Sequence, residues 1–247
     1  MLSSLIGREM NASKNLDDAR AALNAWKELR KVKVEPACNC LVYKPTFELE
    51  YFKESVLYRF IELADATFAL LDTGNLLGAV VTVRSLEETL SVMWYINEIC
   101  LYAVKNKELT HFTEQLKRLI VGWKDDDEFP KSINVLTFID KVDKVISGYR
   151  KHYDILSEYV HPNWNGTMGL FGKTGGEELK VEFGRYIRGK QVIVTHIKIA
   201  LINSIDLLSF IQNEYEHIAK KVMDICHDIH NKGELKNQIL PTQKKRV

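Results

Sequence analysis

Val194 to Ile229 reads VTHIKIALINSIDLLSFIQNEYEHIAKKVMDICHDI, and this stretch decides the fold. Val194, Ile197, Leu201, Ser204, Leu208, Ile211, Tyr215, Ile218, Val222, Ile225 and Ile229 follow one another in alternating steps of three and four. All are apolar except Ser204. That is a heptad-like stripe on one helix of some forty residues, about 60 Å long. A helix of that length needs other helices along its stripe, so the spacing predicts an up-down helical bundle, with a dimer contact as a further way to cover it.

The distribution of helix breakers supports the same class. No proline occurs from Thr46 to Phe129 or from Asn163 to Leu240, whereas seven of the 13 glycines lie between Gly166 and Gly189. Two breaker-poor stretches therefore flank one breaker-rich patch. Apolar periodicity and turn signals predict helices over 15–33, 48–72, 76 to about 105, 108–123, 132–146 (Ser132 as N-cap) and 149–160, followed by the long terminal helix. Residues 35–47 read as a loop bounded by Pro36 and Pro45, and 240–247 as a basic tail. Met168–Gly172 and Leu179–Phe183 are β-prone runs around Gly175 and Gly176, which predicts a hairpin near 168–184. The expectation is a single all-α domain over 1–247 carrying a small β-hairpin insertion.

Composition narrows the function classes. The chain has 247 residues, 34 Lys+Arg against 33 Asp+Glu, a net charge of +1 and 46% hydrophobic residues. These are globular values, and near-neutral charge removes the simplest argument for a nucleic-acid coat or an anionic-membrane binder. Cys38, Cys40, Cys100 and Cys226 are too few for a secreted disulfide scaffold, so a reducing, cytoplasmic setting is expected. No signal peptide is read at the start. The longest uncharged run, Tyr159 to Gly172, holds Pro162 and three glycines, so no membrane span is expected.

Two constellations carry chemistry. On the third helix Glu87 falls inside an apolar stripe with Leu76, Val80, Val83, Leu90, Trp94 and Leu101, and Arg84 precedes Glu87 and Glu88 by three and four residues. A carboxylate on a buried face must be paired or protonated. Helical spacing lets Arg84, Glu87 and Glu88 meet, either as a packing ion pair or as a guanidinium presented to a cleft. On the sixth helix Tyr153, Ser157 and His161 recur every four residues on one side, with Asp154 and Glu158 available to pair with His161. His161 precedes Pro162 and so marks the helix end. There it is either a capping group or a proton carrier near neutral pH.

The segments Val83-Arg84-Ser85-Leu86-Glu87-Glu88-Thr89 and Leu156-Ser157-Glu158-Tyr159-Val160-His161-Pro162-Asn163 together resemble uncharacterised bacterial proteins allied to the HEPN superfamily, over roughly residues 50–230. The resemblance implies a helical bundle, a homodimer, and a metal-independent ribonuclease of a defence or toxin system, with a companion protein from the same system. In such enzymes an arginine separated from the histidine by four to six intervening residues stabilises phosphorane charge while the histidine moves a proton. Here those positions are Asp154, Ile155 and Leu156, and the nearest upstream arginine is Arg150. The corresponding assignment makes His161 the acid/base and Arg84 the phosphate stabiliser from the neighbouring helix. Glu87 or Glu88 orients Arg84, and Tyr153 and Asn163 position RNA. The competing expectation is a non-catalytic helical interaction module in which the Arg/Glu/His network is structural.

Arg185 and Arg188, with Lys173, Lys180 and Lys190, form a basic edge beside Trp164 and Phe171, a composition that suits single-stranded RNA. Cys226, His227 and His230 share a helix, but no CxxC pair or HExxH accompanies them, and no P-loop, dinucleotide fingerprint or nucleophile elbow is present. Neither a metal nor a cofactor is expected.

Overall fold

The computed structural model describes residues 15–35, 43–124, 128–175 and 180–233. Cys38, Cys40, most of the loop expected at 35–47, and the tail at 240–247 lie outside the described residues. Among the described residues the fold is all-α with one two-stranded antiparallel hairpin. Its helices are α1 (Leu16–Leu29), α2 (Lys44–Asp72), α3 (Leu76–Asn106), α4 (Thr110–Val121), α5 (Val135–Asp143), α6 (Tyr149–Val160), α7 (Met168–Phe171) and α8 (Lys190–Asn231); the strands β1 (Gly172–Gly175) and β2 (Lys180–Phe183) lie between α7 and α8.

The expected helices are present, with boundaries moved for local reasons. The Asn15 side chain accepts the N–H groups of Asp17 and Asp18 and starts α1. That helix stops at Leu29 rather than Lys33, and the Lys31 N–H donates to the Glu54 carboxylate at 2.6 Å instead of continuing a helical ladder. Pro45 stands in the first turn of α2 rather than in a loop, where its missing N–H costs nothing. The N-terminal cap of α5 is Asn134, whose Oδ1 accepts the Leu136 N–H, and not Ser132, whose N–H is taken by the Trp123 carbonyl. The first β-prone run is also corrected. Met168–Phe171 is a helical turn, and pairing starts only at Gly172, opposite Phe183. A turn of 161–167 delivers the chain already coiled, with the Gly169 N–H on the Trp164 carbonyl at 2.7 Å.

Chain contacts divide the molecule into two compact units. The first comprises residues 1–29, 58–91 and 139–208. Phe60, Phe68, Val83, Leu86, Leu90, Leu156, Ile197 and Leu201 are among its fully buried side chains. The N–H of Leu77 at the start of α3 is satisfied by the Tyr186 hydroxyl at 3.0 Å. The second comprises residues 30–57, 92–138 and 209–247, built around Ile96, Cys100, Phe112, Leu116, Tyr215 and Val222. Both halves of the α8 stripe are buried in their own unit, including Leu201, Ser204, Leu208, Ile211, Tyr215, Ile218 and Val222. By length and composition alone α8 is also apolar enough to cross a membrane, but half of its apolar window is buried inside the protein.

The second unit encloses a charge cluster that periodicity does not reveal. Glu50, Lys53 and Glu54 at the start of α2 are all buried. Glu50 accepts from the Lys31 ammonium and from the Tyr215 hydroxyl at 2.8 Å, and Lys53 lies 4.9 Å from the centre of the Tyr215 ring. Burial by itself pushes the Glu50 carboxyl up, but the donors and charges of Lys31, Lys53 and Tyr215 outweigh it and hold the group below its usual range. A carboxylate held low in the folded state stabilises the fold above its unfolded pKa, and that stabilisation is lost as pH falls through the folded value. Tyr215→Phe should therefore cost about 1.5–3 kcal/mol at pH 7, and the difference from wild type should shrink on acidification below about pH 4. Urea unfolding of both proteins at the two pH values measures this.

Candidate functional site

The site lies in the first unit, where α3 faces α6. Gly148, at φ +90, occupies a backbone region closed to most side chains and starts α6. The Asp143 carboxylate accepts the N–H groups of Gly148 and Arg150 and holds that start in place. At the other end His161 turns to an extended conformation before Pro162, and its N–H remains on the Ser157 carbonyl at 3.0 Å. Tyr149, His152, Tyr153 and Leu156, spaced by three, one and three, share the inward face between these limits.

Arg84 crosses from α3 to α6. Its Nε donates to the Ser157 hydroxyl at 2.9 Å and its Nη2 to the Tyr153 hydroxyl at 2.5 Å, and Nη2 lies 3.1 Å from Glu88 Oε1. The Tyr153 hydroxyl in turn donates to Glu88 at 2.7 Å, and the guanidinium stacks 4.8 Å over the Tyr153 ring. Burial and the Glu88 carboxylate push the Tyr153 phenol up to about 12, so it stays a neutral donor. Arg84 Nη1 has no hydrogen-bond partner among the described residues, and the Arg84 side chain is 24% exposed.

Of the two glutamates offered as orienters of Arg84, Glu88 fills that role. Glu87 does not, because the next residue on a helix points about 100° away. Glu87 is buried and turns to His152, whose Nδ1 is 3.0 Å from Glu87 Oε1. The other oxygen, Oε2, is buried with no hydrogen-bond partner among the described residues. The Glu87 backbone carbonyl accepts from Tyr149 and Ser91. Burial pushes the Glu87 carboxyl above its usual range; the His152 hydrogen bond and charge oppose this, Glu88 adds to it and Arg84 subtracts. His152 Nε2 then meets His196 Nδ1 of α8 at 3.4 Å. Neither histidine was singled out in the sequence, although His152 stands in the apolar stripe of α6 between Tyr149, Tyr153 and Leu156.

His161 is exposed, and its ring makes no hydrogen bond or ion pair among the described residues. It follows Ser157 by one turn, so Arg84 reaches the same side of α6 one turn before it. The acidic partners proposed for His161 are used elsewhere. Asp154 pairs with Arg150, which also binds Asp140, and Glu158 accepts from Asn163 and Asn165. Asn163 therefore braces the turn after α6, where it also accepts the Gly166 N–H. A Cβ on Gly166 would strike the carbonyls of His161 and Tyr159, so only glycine closes this turn.

The basic edge has local duties. Arg185 reaches the Gly74 carbonyl, Arg188 the Thr174 hydroxyl, and Phe171 packs against the Tyr186 ring. Trp164 is 56% exposed and Phe183 is 83% exposed. Among the described residues no group of three or more metal-ligating side chains occurs. His227, in the second unit, is taken by the Tyr43 hydroxyl at 3.0 Å. No family model, curated protein or solved structure matches the chain significantly.

Proposed function

We propose that this chain is an HEPN-like, metal-independent ribonuclease of a bacterial defence or toxin system, acting in the cytoplasm as a homodimer with RNA as substrate. The observation that carries this reading is the contact of Arg84, from α3, with α6. A guanidinium from α3 bonds Tyr153 and Ser157, eight and four residues before His161, with Nη1 left unpartnered among the described residues. The arginine missing from the helix of His161 is thus supplied from its neighbour. In the reaction His161 takes the proton of a ribose 2′-hydroxyl as that oxygen attacks the adjacent phosphorus. Arg84 stabilises the charge that develops on the phosphate oxygens; the 2′,3′-cyclic phosphate forms as the P–O5′ bond breaks, the 5′-oxygen takes a proton from water, and His161 returns its proton to solvent. Trp164 in the turn after α6, and Arg185 and Arg188 in the turn after β2, serve as the RNA-binding edge.

A second reading rests on a different observation. Arg84, Glu88, Tyr153 and Ser157 already satisfy one another across the helix pair, which is what a structural clamp in a non-catalytic interaction module requires. Incubation of the purified protein with total cellular RNA in EDTA separates the two. Cleavage leaving 2′,3′-cyclic phosphate ends is expected from the ribonuclease, and intact RNA from a well-folded protein is expected from the module.

A further inference from the structure

Outside the Arg84–His161 face, the first unit holds a second line of titratable groups from three helices. Glu87 on α3 is buried, His152 on α6 has a side chain 20% exposed, and His196 on α8 is partly exposed. The order of donors along the line follows from its buried end. With Glu87 ionised and His152 neutral, Glu87 Oε1 accepts from His152 Nδ1–H, which leaves His152 Nε2 to accept from His196 Nδ1–H. His196 Nε2 is left as a lone pair with no partner among the described residues.

We propose that Glu87, His152 and His196 form a proton relay whose working atom is Nε2 of His196, a general-base site for a hydroxyl or water that must lose its proton. When Nε2 takes that proton, the Nδ1 proton of His196 passes to His152 Nε2. His196 is then neutral in its other tautomer, and the positive charge rests on His152 beside the Glu87 carboxylate. One proton enters, one moves along, and no other group changes.

Two observations fit this assignment. The orphaned, buried Oε2 of Glu87 leaves the carboxylate short of donors, so its compensation is the imidazolium that the loaded relay creates. Burial and the charge of His152 hold His196 below its usual range, so the imidazolium form of His196 itself is disfavoured. The remaining groups that face the line are Arg84 and Glu88 on α3 and the hydroxyls of Tyr149 and Ser91. Tyr149 is held neutral by burial and by the nearby Glu87 charge. The line does not depend on the ribonuclease reading.

The test is nitrogen-15 NMR of the histidine rings in the full chain, in EDTA, as pH is lowered from about 9 to 5. At high pH His196 should carry its proton on Nδ1. On acidification it should switch to the Nε2–H form without itself becoming charged, while His152 becomes the imidazolium. In a folded Glu87→Gln protein the switch should move to lower pH, because the carboxylate no longer holds the charge. His196 in the Nε2–H form at all pH values, or a switch unmoved by Glu87→Gln, overturns the relay. The wild-type spectrum alone decides the case if the variant does not fold.

Discussion

Arg84→Ala should lower stability by about 2–4 kcal/mol and the melting temperature by roughly 5–15 °C. Its guanidinium supplies two hydrogen bonds from α3 to α6, pairs with Glu88 on its own helix and covers the Tyr153 ring. Removing it leaves the Glu88 carboxylate facing Tyr153 with no cation, and leaves Ser157 without its donor. Breaking a fully buried pair costs about 3–5 kcal/mol; the lower figure applies because the Arg84 and Glu88 side chains are 24% and 23% exposed, and water recovers part of the loss. Arg84→Lys is the informative companion. An ammonium keeps the charge next to Glu88 but cannot present the fixed fork that reaches Ser157 and Tyr153 together. Its stability should fall between wild type and alanine. In the ribonuclease reading, cleavage should still drop nearly as far as in Arg84→Ala, because planar hydrogen bonding to phosphate oxygens is lost. Calorimetry and cleavage rates on the same three proteins measure both quantities. A module with a structural clamp would show the stability series and no cleavage in any of them.

How far this was legible in the sequence depended on the range of the interaction. The α6 limits could be read because both punctuation marks are local, Gly148 before the helix and His161–Pro162 after it. The α8 stripe could be read because its period repeats over many turns. Arg84, Tyr153 and Ser157 were placed on the right faces by spacing within each helix, and burial of Glu87 followed from its place among apolar neighbours. Its partner was not legible. His152 lies 65 residues away, and no local rule chooses between it and Arg84 for a carboxylate at that position. The same limit hid the Glu50–Tyr215 pair, 165 residues apart. The hairpin's first strand was misplaced for the opposite reason. Met168–Phe171 has β-prone composition, but the preceding turn, with Gly169 packed against the Trp164 ring, commits the chain to one more helical turn. Local propensity lost there to a contact five residues back.

His161→Ala should leave stability within about 0.5 kcal/mol of wild type and lower RNA cleavage by about 10²–10⁴-fold. The first half follows from its surroundings. The ring is exposed and makes no hydrogen bond among the described residues, and the one bond that caps α6 comes from the backbone N–H, which alanine keeps. The extended conformation before Pro162 is equally open to alanine. The second half follows from the chemistry, since an attacking 2′-hydroxyl needs an acceptor for its proton and alanine supplies none. Stability and activity are therefore expected to separate at His161 and to move together at Arg84. That contrast distinguishes a proton carrier from a clamp more sharply than either variant alone. If wild type and His161→Ala cut RNA at the same rate, the proton acceptor is not on the end of α6. The His196 ring, which ends the other line of titratable groups in this unit, then becomes the side chain to replace.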